Sequence, residues 1–157
     1  MIGNGFKTPS KLAAGLLLAA LVVGACSSAA PASQGVAGAT QAAGGSATVM
    51  AKSVSSGTVL VAGSNSMTVY TFTNDTAGSG KSACSGGCLT KWPALTVPAG
   101  TSPTAGTGVS GALGTITRSD NGSLQVTYNG LPLYFYAGDT APGDTNGSYP
   151  NWNLVKP

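Results

Sequence analysis

The side chains with the widest chemical scope in this chain are few. They are Cys84 and Cys88, set in the loop Ser82-Ala-Cys-Ser-Gly-Gly-Cys88, and four aspartates, Asp75, Asp120, Asp139 and Asp144. A Cys-x-x-x-Cys pair can close an intraloop disulfide, cycle between dithiol and disulfide, or hold a soft metal once another ligand joins it. The metal option is poorly supplied, because the chain has no histidine and Met50 and Met67 precede the loop at no ligand-like spacing. A disulfide there would close only five residues. It would contribute roughly 2 kcal/mol on the chain-entropy relation and so staple the loop more than the domain.

The absences narrow the chemistry further, since neither His nor Glu occurs anywhere. A Ser-His-Asp or Cys-His hydrolase would lack its base, a common zinc hydrolase its imidazole ligands, and a c-type haem attachment its His. A glycosidase would need two of the four aspartates facing each other across a sugar, and nothing in their spacing argues for it. The stretch from Asp139 to Gly147 is rich in oxygen donors but fits no EF-hand loop. The expectation is a non-catalytic domain with no cofactor and no metal.

Two of the aspartates close a repeated pattern, Tyr-x-aromatic-x-x-Asp. Tyr70, Phe72 and Asp75 in one copy correspond to Tyr134, Tyr136 and Asp139 in the other. In a strand the two aromatic residues of each copy point to the same face, because side chains alternate with period two. The expectation is a shared aromatic core, or a ligand face on which sugars or a planar group stack against these rings and Trp92. Each aspartate is expected to accept N–H groups of the turn that follows it.

The elements that must position these groups read as strands. Ala47, Val49 and Ala51 alternate on one phase and Val59 and Val61 on another. A meander is expected from Gly114–Ser119, Ser123–Tyr128 and Leu131–Tyr136, joined by Asn121-Gly122 and Asn129-Gly130, pairs that suit two-residue hairpin turns. Laid together, Gly57-Thr-Val-Leu-Val matches Gly122-Ser-Leu-Gln-Val, so the repeat extends upstream of the motif. Helical periodicity is absent after the N-terminal segment. The fold expected is all-β, with two related antiparallel units, about 57–98 and 112–157, forming a pseudo-symmetric sandwich or barrel-like domain over 46–157.

Upstream, Lys7 and Lys11 precede an apolar run from Leu12 to Val23 that ends at Gly24-Ala25-Cys26. The run is shorter than the roughly 20 residues a spanning helix needs. This pattern resembles bacterial lipoprotein precursors, and the resemblance implies a signal peptide over 1–25 and a diacylglyceryl-modified Cys26. Residues 26–45, almost entirely Ala, Ser, Gly, Gln, Thr and Pro, read as a flexible tether. At about 5 to 6 Å times the square root of its length, such a tether holds a domain on the order of 25 Å from the lipid. Without the two N-terminal lysines, five basic residues face four aspartates, which makes no electrostatic case for nucleic acid. The expected partners are a membrane, through the lipid anchor, and an envelope polysaccharide or protein.

The repeated motif also resembles a family of predicted bacterial lipoproteins and secreted proteins defined by Tyr-x-(Phe/Trp/Tyr)-x-x-Asp. The likeness includes the Cys84/Cys88 pair, Lys91-Trp92-Pro93, Gly114-Thr-Ile-Thr-Arg118, Tyr128-Asn-Gly-Leu-Pro-Leu-Tyr134 and Trp152, and covers most of 57–157. It implies an extracytoplasmic β domain and supplies no reaction. A second reading of the same residues is a redox or metal-handling accessory acting through Cys84 and Cys88.

Overall fold

The structure, a computed structural model, describes residues 48–157; Cys26, the signal segment and the tether lie outside them. In chain order the elements are β1 (Val49–Val54), β2 (Gly57–Ala62), β3 (Tyr70–Phe72), α1 (Cys88–Lys91), β4 (Thr96–Val97), β5 (Leu113–Thr117), β6 (Leu124–Tyr128), β7 (Leu131–Pro132) and β8 (Trp152–Leu154). Every pairing between named strands is antiparallel, and they form one four-stranded and two two-stranded sheets. Among the described residues these do not close into a barrel. The short helix α1, which starts at the last residue of the cysteine loop, is the one helix among the described residues and has no periodicity to signal it.

The meander forms, with its last strand shortened to Leu131–Pro132. Its second turn is of the expected kind, Asn129 and Gly130 both adopting positive φ, at 48° and 79°. The first differs. Arg118 N–H donates to Ser123 O and Gly122 N–H to Arg118 O, which closes a four-residue loop over Ser119–Gly122 in which only Gly122 is left-handed. The two extra residues make room for Asp120, which Arg118 grips from the strand end.

The internal repeat appears as matched hydrogen bonds. Leu60 N–H donates to Val155 O as Val126 N–H donates to Leu95 O, both at 2.8 Å. Val69 N–H donates to Leu60 O as Leu133 N–H donates to Val126 O. Leu60 and Val126 therefore hold the same place. The residue alignment expected from sequence, which set Leu60 against Gln125, is one position off, because the two copies differ in the lengths of their hairpin loops. In a strand such a slip exchanges the two faces.

Each copy's motif strand is completed by the other copy. β3 pairs with β8, setting Phe72 opposite Trp152, while Tyr134 bridges to Ala94 just after Trp92. Burial follows the same two-fold plan. Val49, Leu60, Val69, Leu95, Val126, Leu133 and Val155 build an aliphatic core, and Tyr70, Cys84, Trp92, Tyr134 and Trp152 an aromatic one. The run Val59-Leu60-Val61 is buried on both faces of β2, which explains why it is uninterrupted by polar residues.

Candidate functional site

Tyr70 and Tyr134 are both wholly buried, and their phenol hydroxyls need partners there. Tyr70 Oη donates to Asp139 Oδ2 at 2.7 Å, and Tyr134 Oη to Asp75 Oδ2 at 2.8 Å. The other oxygen of each carboxylate accepts a loop N–H, from Ala83 to Asp75 and from Asn146 to Asp139. The aspartates thus hold loops, as expected. The bond to the tyrosine of the opposite copy was not expected. Burial pushes both phenols well above their ordinary value, and the adjacent carboxylates add to the effect. Burial also raises the Asp139 carboxyl, against the stabilising hydrogen bond from Tyr70.

The remaining motif rings form a column. Trp92 and Trp152 stack with centroids 3.7 Å apart and planes 4° from parallel. Phe72 stacks on the outer face of Trp152 at 4.4 Å, and Tyr136 packs against Trp92 at 4.7 Å. Tyr70 and Tyr134 meet the two indoles edge-on. The structure therefore brings Tyr70, Phe72, Trp92, Tyr134 and Tyr136 together, with Trp152 between them.

Cys84 and Cys88 form a disulfide, and Cys84 is fully buried against this aromatic cluster. Opposite the loop stands a residue that sequence reasoning did not single out. Arg118, 4% exposed, donates from Nε and Nη2 to Asp120, from Nη1 to Gln125 Oε1 and Ser82 Oγ, and from Nη2 to Cys84 O. Gln125, also buried, passes its amide on to Leu133 O at 2.9 Å. The only available signal was a lone arginine ending a strand; its partners lie up to 36 residues away in the chain. These hydrogen bonds hold the Asp120 carboxyl below the usual range.

At the Tyr136 end the column reaches solvent. Tyr149, 44% exposed, is edge-on to Trp92, and its hydroxyl lies 2.9 Å from that of Tyr136. This hydroxyl contact raises the Tyr136 phenol. Lys91 Nζ sits 4.6 Å from the centre of the Tyr149 ring and 5.8 Å from that of Tyr136. The platform thus combines a partly exposed tyrosine ring, two hydroxyls in contact and a cation over the ring.

Below it the loop from Asp139 to Gly147 is tied internally. Asp144 accepts N–H groups from Thr140 and Ala141, which lower its carboxyl, and Gly147 N–H donates to Tyr70 Oη. Among the described residues no group of three or more potential metal-ligating side chains occurs, and no helix is long and apolar enough to cross a membrane.

Comparison with known families matches residues 50–96 and 114–156 to Lipoprotein_15, a secreted repeat of unknown function, so that each copy of the motif falls in one matched repeat. No curated protein and no solved structure matches the chain.

Proposed function

Since the chain belongs to the family of secreted repeats of unknown function, we propose that it is a lipid-anchored, non-catalytic binding module of the cell envelope that holds envelope polysaccharide on Tyr149, Tyr136 and Lys91. The observation that carries this reading is the exposed Tyr149 ring, packed against buried Trp92 and half-buried Tyr136. A sugar's C–H face packs on such a ring, while adjacent tyrosine hydroxyls and an ammonium bind its hydroxyl groups. A platform already ordered by packing loses little entropy on binding.

The non-catalytic part draws support from how the reactive groups are used. Asp75, Asp120, Asp139 and Asp144 all accept hydrogen bonds from within the domain. The pair Cys84 and Cys88 is joined, with Cys84 out of reach of solvent, which weighs against the redox accessory. The anchor rests on Val23-Gly24-Ala25-Cys26; two or three acyl chains, at about 0.8 kcal/mol per buried methylene, hold a protein stably on a membrane.

Co-sedimentation of the purified protein with isolated cell-wall polysaccharide tests the binding. Tyr149→Ala should weaken it about tenfold or more while the near-ultraviolet circular dichroism keeps its aromatic signature. Equal binding by the variant would overturn the reading. Fractionation of cells carrying Cys26→Ser tests the anchor separately: the protein should leave the membrane fraction or remain unprocessed.

A further inference from the structure

The two copies provide an internal comparison at one place, half-buried in the first copy and buried in the second. By the shared hydrogen-bond pattern, Val54 and Val59 of the first copy occupy the places of Arg118 and Gln125 in the second. Val54 lies beside Gly143 in the loop of the second copy; Arg118 faces the disulfide loop of the first. The fold therefore closes at this place with two valines. Burying a charge costs more than burying an aliphatic side chain unless its pairing is very good, so Arg118 marks a property that one side of the molecule has and the other lacks.

That property coincides with a cleft. Lys81, Ser82, Ser85, Thr117, Arg118 and Ser119 line a hollow of about 230 Å³ between the disulfide loop and the β5–β6 hairpin. A shallower hollow of about 330 Å³ adjoins it, sharing Lys81 and Ser82. All five N–H donors of Arg118 are taken by Asp120, Gln125, Ser82 and Cys84 O, so its guanidinium is fixed in the wall. Lys81 is different. The one ion pair among the described residues is Arg118–Asp120, and the exposed ammonium of Lys81 has no carboxylate on it. Asp75, which borders the adjoining hollow, turns its two oxygens to Ala83 N–H and Tyr134 Oη.

We infer that this cleft binds a small oxyanion, phosphate or carboxylate, held by the Lys81 ammonium and the Ser85 and Ser119 hydroxyls at its mouth. The Arg118–Asp120 pair is neutral and rigid and shapes the floor, which leaves Lys81 to set the sign of the ligand. Lys81 lies three residues before the disulfide-closed loop, and Ser79 fixes its backbone: Ser79 Oγ both donates to Lys81 O and accepts Lys81 N–H. The site is separate from the Tyr149 platform and does not depend on it.

The test titrates inorganic phosphate, glucuronate and glucose in turn into the full chain in non-ionic detergent, followed by amide chemical shifts. Phosphate, glucuronate or both should shift Lys81, Ser85 and Ser119 saturably, and glucose should not. Lys81→Gln should weaken binding about tenfold, the size of one charge-assisted hydrogen bond, and Lys81→Arg should restore it. Tighter binding of phosphate would assign the site to phosphodiester-bearing partners, and tighter binding of glucuronate to uronic acids. Tyr149→Ala should leave the titration unchanged, which separates this site from the platform. Equal affinity in Lys81→Gln, equal shifts with glucose, or no saturable shift with either anion would overturn the inference.

Discussion

Tyr70 and Tyr134 exchange both backbone hydrogen bonds, at 2.8 and 3.0 Å, and each then sends its phenol to the motif aspartate of the other's copy. The pseudo-two-fold relation of the copies exchanges the two residues, so its axis passes between them. A motif that reads as two independent turns is in fact one reciprocal clasp, and its strength depends on both copies being present.

Removing one hydroxyl should therefore strand a buried carboxylate in the opposite repeat. Tyr134→Phe and Asp75→Asn should each lower unfolding free energy by about 1–3 kcal/mol, and the double variant should cost clearly less than the sum. Urea denaturation of the four-member cycle gives the coupling. The equivalent cycle at Tyr70 and Asp139 should give a value of the same sign.

Alkali should unfold the domain steeply. Both buried phenols are raised above their ordinary value of 10.0, so the folded chain keeps two protons that the unfolded chain releases. Stability is complete below pH 10 and falls as pH rises above it, by about 1.4 kcal/mol per pH unit for each tyrosine. Tyr70→Phe should remove one tyrosine's share of that slope in denaturation curves taken across this range. A slope unchanged by the substitution would remove the tyrosines as its cause.

Gly147 has no room for a side chain. A methyl group there would lie 2.6 Å from Cζ of Tyr70 and 2.8 Å from Cβ of Tyr136. Gly147→Ala should lower stability by about 1–3 kcal/mol through overpacking. It should also perturb the near-ultraviolet dichroism, because the displaced ring is packed edge-on to Trp92. Gly122→Ala meets no such neighbour, yet its φ of 72° makes it strained, by about 1 kcal/mol.

Replacing both Cys84 and Cys88 by Ala should cost roughly 2 kcal/mol from loop closure alone. The Trp92–Trp152 stack should persist, since it is held from both sides by Tyr136 and Phe72. Tryptophan emission and thermal melting measure the two effects separately. Loss of the stack together with the disulfide would show the loop to be the organiser of the aromatic core.

Much of the architecture was legible in sequence because it depends on local signals. Asn129-Gly130 specifies its turn by positive φ, the duplicated Tyr-x-aromatic-x-x-Asp reveals two units, and the apolar alternation gives antiparallel strands. What was not legible is everything that joins the two units. Periodicity says which face of β3 is buried but not that Trp152 covers it. Spacing within one motif fits an aspartate holding its own loop equally well whether or not a distant tyrosine also donates to it. Arg118 was missed for the same reason, as its four partners come from the hairpin and from a loop of the other copy. The one-residue error in aligning the copies came from using Gly57 and Gly122 as equivalents, although Gly57 follows its hairpin loop and Gly122 is the last residue within the longer one.

The crossing of the repeats also determines when the domain can form. Its central contacts join residues 69 and 59 positions apart in the chain, and one layer of the column waits for Trp152. A chain threaded N-terminus first through a membrane would emerge with its first repeat lacking both a pairing strand and a lid for its rings. It would stay open until the second repeat followed, since non-local pairing cannot reward early closure. In such a passage the chain would cross as an unfolded polymer, and its two repeats would close together only on the far side.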